Sequence, residues 1–75
     1  MNVQRRKRLR EAYDDLSGVI DELEDIVDEE QGCLNNTPEN LQESEAYSDR
    51  EDLIEDMRDV IGELKSSMDT LSEML

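Results

Sequence analysis

The side chains that could carry chemistry in this chain are 22 carboxylates, one cysteine and a scatter of serines, with no histidine among its 75 residues. General acid–base work needs a carboxyl held in a dry pocket that raises its pKa. Every acid here falls on a polar helix face or in a loop, by the periodicity described below. Ser17, Ser44, Ser66, Ser67 and Ser72 have no histidine to activate them. Cys33 stands beside a turn without a partner base. A calcium loop needs closely set oxygen ligands around a sharp turn, and no such spacing of Asp, Asn and Gly occurs. Di-iron bundles need Glu-x-x-His, and structural zinc needs sets of Cys or His. The expectation is a protein that is not an enzyme, with no catalytic residue, metal or cofactor.

The carboxylates do show a pattern of another kind. Asp21, Glu22, Glu24, Asp25, Asp28, Glu29 and Glu30 crowd one stretch, and Glu39, Glu43, Glu45, Asp49, Glu51, Asp52, Glu55 and Asp56 fill another. These hold 15 of the 22 acids against a single base, Arg50. Residues 1–10 hold five of the eight bases and no acid, although the net charge is −14. An anionic surface of that density serves solubility or docks something basic. The partner-binding candidates are Asp25, Glu29, Glu30, Pro38, Glu39, Asn40, Gln42, Ser44, Asp52 and Asp56, and the expected partner is a host protein with a basic surface.

For the basic cluster the expectation is structural pairing. Lys7–Glu11 and Arg10–Asp14 are spaced i,i+4, and an antiparallel hairpin would set the cluster beside Asp69, Glu73 and the terminal carboxylate. Arg5, Arg6, Arg8 and Arg10 are candidates for an alternative, a nucleotide or other small anion held where N-termini gather in an oligomer; a purely structural assembly protein is the other alternative. No aromatic interleaves them for base stacking, so direct nucleic-acid binding is not expected.

The elements that must position these groups are helices. Leu9, Tyr13, Leu16, Ile20, Leu23 and Val27 are spaced 4, 3, 4, 3, 4, with Ala12, Val19 and Ile26 in a second row. This predicts a helix over about 4–31, stopped by Gly32. Ile54, Met57, Ile61, Leu64, Met68, Leu71 and Leu75 are spaced 3, 4, 3, 4, 3, 4, beside Leu53, Val60 and Met74. Ser48-Asp49-Arg50-Glu51 reads as a capping box, which starts the second helix near 49 and ends it at 75. Between them Thr37-Pro38 opens a possible short helix over 38–46, with a bend near Ser48. Leu41 and Tyr47 belong to neither stripe and would fold the connector over the end of the bundle. Gly18 and Gly62 lie on the outer faces, level with each other if the hairpin is symmetric.

The fold class expected is all-α: one domain, an antiparallel helical hairpin with a short connector helix. A chain of this size buries only about 60% of its unfolded surface and needs a staple. One cysteine allows no internal disulfide, so oligomerisation remains. Each stripe is three heptad positions wide and can face two neighbours, which points to a homodimeric four-helix bundle. The interface set read from the stripes is Leu16, Ile20, Leu23, Val27, Ile54, Met57, Ile61, Leu64, Met68 and Leu71. No apolar run reaches the ~18 residues of a membrane span, no apolar segment follows the basic start as in a secretory signal, and a lone thiol suits a reducing compartment. A cytoplasmic protein without membrane contact is expected.

A basic start, an acidic amphipathic helix, the segment Asn36-Thr37-Pro38-Glu39-Asn40-Leu41-Gln42-Glu43-Ser44-Glu45 and a second acidic helix together resemble small acidic helical-hairpin proteins of Gram-positive phages and mobile elements. The specific part is P-E-N-L-Q-x-S; the helices alone match many acidic coiled coils. The resemblance implies an origin inside a bacterial host cell. By analogy it implies an inhibitor or modulator of host defence or nucleic-acid machinery.

Overall fold

The computed structural model describes residues 1–75: α1 (Val3–Asn35), one 3-10 turn (Glu39–Leu41) and α2 (Glu45–Ser72). The two helices form an antiparallel hairpin without strands, a rod of 60 × 16 × 13 Å. Neither helix is long and apolar enough to cross a membrane.

Local capping starts α1 and burial decides where it ends. The Asn2 side chain accepts the Arg5 N–H at 2.8 Å and so caps one of the free donors of the first turn. The helix then runs straight through Gly32, four residues past the expected end, and stops at Asn36. The reason is Leu34. It stands seven residues after Val27 and is only 1% exposed. Burying a leucine contributes about 1.5–3 kcal/mol, which outweighs the roughly 1 kcal/mol that a helical glycine costs.

At α2 the same contest moves the start in the other direction. Ser48 caps nothing, and its N–H donates to the Ser44 carbonyl inside a helix already running. Ser44 is the cap: its hydroxyl accepts the Tyr47 N–H at 3.1 Å and donates to the Leu41 carbonyl at 2.8 Å. The early start brings Tyr47 onto the core, seven residues before Ile54. There is therefore no bend near Ser48 and no α-helix over 38–46. Pro38 is extended (φ −55°, ψ 141°), and only the 3-10 turn follows it, closed by the Leu41 N–H on the Pro38 carbonyl at 2.8 Å. Leu41 stays half exposed and anchors nothing.

The core is six residues, Ile20, Val27 and Leu34 from α1 and Ile54, Ile61 and Met68 from α2, each a heptad from the next. Tyr13, Leu23, Tyr47, Met57 and Leu64 pack around it half buried, and no polar group is buried. Ile20 and Met68 line one shared depression and Leu34 and Ile54 another, so Val27 faces Ile61. In this register Leu75 is level with Tyr13, and α1 projects past Leu75 by Val3–Ala12, roughly 15 Å at 1.5 Å per residue. Gly18 and Gly62 are not level in this register, being offset by roughly 12 Å. A Cβ on either would meet nothing within 4 Å.

Candidate interaction surfaces

The register divides each three-row stripe between two tasks. The row of Ile20, Val27, Ile54, Ile61 and Met68 is consumed inside the hairpin. Those five residues, expected at an oligomer interface, are the core of a single chain, because one row per helix suffices to seat the other helix. The remaining rows lie side by side on one face. Leu23, Met57, Val60 and Leu64 line one groove on it, with Asp56 at the rim, and Ile26, Cys33, Leu53 and Met57 line its continuation toward the connector. Leu16, Val19, Ile26, Leu53, Val60 and Met74 are 44–69% exposed. Helical spacing sets all of them, with Ala12 and Leu71, along this face. Of the expected interface set, Leu16, Leu23, Met57, Leu64 and Leu71 are on it; Val19, Ile26, Leu53 and Val60 were legible as second rows.

The opposite face is polar and closed by ion pairs across the helices. Arg58 reaches Asp28 at 3.1 Å, and Lys65 pairs with Glu24. The hydrogen bond that the Lys65 ammonium donates to Glu24, reinforced by the charges of Glu24, Asp21 and Asp28, raises the Lys65 pKa above its ordinary value despite the opposing effect of burial. Burial, with the nearby Glu51 carboxylate, likewise raises Tyr47. The third pair, Arg50–Glu30 at 2.6 Å, closes the connector end of the apolar face. The sequence signal for these pairs was available: Arg50, Arg58 and Lys65 are the only bases of α2, and each meets an acid of α1.

The acidic end gathers most of the partner-binding candidates. Asp25, Glu29, Glu39, Asp52 and Asp56 are exposed, whereas Glu30 is engaged by Arg50. Pro38, Asn40, Gln42 and Ser44 are also exposed. Two of them serve the connector: the Gln42 amide donates to the Thr37 carbonyl at 3.1 Å, and Ser44 is the cap. The acids of α1 stop at Glu30, and its last turn carries Gly32–Asn35 with no charge. The repulsion between those acids and the negative end of α1 is thereby small, since that effect fades within one turn.

The basic cluster is not paired as expected. The chain's ion pairs are those of Arg50, Arg58 and Lys65; Arg5, Arg6, Lys7, Arg8 and Arg10 make none, with Glu11, Asp14, Asp69 or Glu73. The overhang explains this, because Asp69 lies a full turn or more down the rod from the cluster. The five cations occupy the first turns of α1, where the positive helix end disfavours them. No group of three or more His, Cys, Asp or Glu side chains is placed to hold a metal ion. No family model matches this chain, and no curated protein or solved structure matches it.

Proposed function

We propose that the chain works by binding rather than by catalysis, as an acidic homodimeric four-helix bundle that engages a basic partner. The observation that carries this is the continuous apolar face left beside a filled core. A folded monomer of this mass exposes about 4,700 Å² by size scaling, and this chain exposes 5961 Å². The surplus, roughly 1,200 Å², exceeds the ~800 Å² that each partner buries in a standard interface. An excess of surface on this scale, beside a face whose Leu16, Val19, Ile26, Leu53 and Val60 are 44–57% exposed and flanked by charge, marks an association site. Two copies joined by this face complete the bundle.

The dimer leaves the outer acids of each end, Asp25 and Glu29 among them, to a heterologous partner. Of the 15 acids in the two rich stretches, Glu24, Asp28 and Glu30 have an ion-pair partner in the hairpin. The remainder suit a basic protein surface such as a nucleic-acid-binding groove. With the resemblance to phage and mobile-element proteins, this gives a stoichiometric accessory protein acting on a host protein in the bacterial cytoplasm.

Light scattering on the purified chain tests the dimer, with twice 8.7 kDa expected. A helical monomer at micromolar concentration rejects it. For the partner, capture from a host lysate by the wild type is compared with capture by a variant carrying Asp25, Glu29, Asp52 and Asp56→Lys. The variant should lose the partner and keep its helical circular dichroism; retention at physiological salt excludes the acidic end as the docking surface.

A further inference from the structure

Resting on the dimer just described, we infer that its two copies run antiparallel, so that the basic arm of each lies on the acidic connector end of the other. Two identical hairpins can meet face to face about either of two two-fold axes. An axis along the rod puts like ends together. An axis across the rod puts each end on the opposite end of the other copy.

Charge separates the two. With like ends together, five bases face five bases with no acid among residues 1–10, and the two most anionic segments face each other. With opposite ends together, both repulsions become attractions. The arm also lacks any anion of its own: it projects past α2, makes no ion pair, and has no acid in the first helical turn.

Geometry supplies the contact. The apolar face of α1 runs from Ala12 to Cys33 and centres near Leu23. Turning a copy about that centre brings Arg5–Arg10 to the level of the partner copy's connector and the head of α2. Glu39, Glu43, Glu45, Asp49 and Asp52 are exposed there, and none is ion-paired. The arm stays in line with the face, since Arg5 is one heptad before Ala12 and Leu9 one heptad before Leu16. The overhang that leaves the arm unsupported in one chain is thus the length needed to reach the other.

Cys33, exposed and the chain's one cysteine, reports the arrangement directly. Spin labels on Cys33 of the full chain should lie about 30 Å apart, from an axial offset of some twenty residues at 1.5 Å each. Like ends together would bring them within about 15 Å across a four-helix section. A dimer with the short distance overturns the antiparallel arrangement and leaves the dimer standing. A monomeric mass of the unlabelled chain overturns both.

The second measurement has opposite signs in the two arrangements. Reversing Glu39, Glu43, Asp49 and Asp52 to Lys changes the charge by +2 at each position, from −14 to −6. With like ends together, this relieves repulsion and tightens the dimer. With opposite ends together, it turns attraction into repulsion and weakens the dimer at least tenfold at low salt, an effect that shrinks as salt is added. Adding Arg5, Arg6 and Arg8→Glu to that variant should restore association. Tightening by the first set of changes, or no rescue by the second, overturns the contact between arm and acidic end.

Discussion

The two long faces of this hairpin flank one seam at the same heptad spacing and are built from opposite residue types. On one face α2 offers Arg58 and Lys65 across the seam, and α1 answers with Asp28 and Glu24. The pairs close the seam with side chains that water also reaches. On the other face α2 offers Leu53, Met57, Val60 and Leu64, and α1 offers Leu16, Val19, Leu23 and Ile26. Leu23, Met57 and Leu64 are half buried at the seam, and Leu16, Val19, Ile26, Leu53 and Val60 still leave 44–57% of their surface in water. A two-helix rod covers one row per helix; whichever face carries apolar rows beyond that is unfinished. In the proposed dimer, folding and association are separate tasks, assigned to neighbouring positions of one heptad.

Neighbouring substitutions should separate the tasks. Ile61→Lys buries a charge in the seam with no partner and should abolish the helical circular dichroism; a folded Ile61→Lys chain would contradict the register. Leu34→Ala should cost about 2–5 kcal/mol in denaturant unfolding. A loss below ~0.5 kcal/mol would mean that α1 ends near Gly32 after all. Val60→Lys, one residue from the lethal position, should keep helicity at high concentration and low temperature while halving the mass in light scattering. Loss of helicity under all conditions would show that the hairpin has no existence apart from its dimer. On the polar side, Gly62→Ala should raise stability by about 0.5–1 kcal/mol with no change in mass, because a Cβ there meets nothing; a change in mass would reveal a contact on the outer face. The smallest effect concerns pH. Lys65 and Tyr47 both have raised pKa values in the fold, so the folded chain holds these protons more tightly than the unfolded one. Their contribution is complete below the ordinary values near 10 and is lost as pH rises through the raised ones. Thermal stability should decline above about pH 10, and Tyr47→Phe should remove part of that decline.

How much of this was legible depended on whether the signal was local or tertiary. The rows at seven-residue spacing gave both helices and their antiparallel pairing, because burial periodicity is a property of the sequence itself. The helix ends were misjudged where a good local signal competed with a better distant one. Gly32 is a competent stop and Ser48-Asp49-Arg50-Glu51 a competent cap. Each lost to a side chain beyond it, Leu34 and Tyr47, whose gain exists only once the other helix is present. The site divides in the same way. The wide stripe was visible, but which row closes the hairpin and which stays open is set by register. The unpaired state of Arg5–Arg10 follows from register too, since a shift of ten residues would have set them beside Asp69 and Glu73.

The six core residues follow one another singly, one heptad apart on each helix. A core one side chain wide has no interior: every peptide group of the isolated hairpin lies on or next to the surface of the rod. Amide hydrogens of such a chain have no deep layer in which to resist exchange, and opening at one end meets little to stop it. In the proposed dimer, slow exchange comes from the second hairpin. The protection of Val19, Ile26 and Val60 should therefore rise with protein concentration, making the exchange rate of a backbone proton a gauge of how many copies are present.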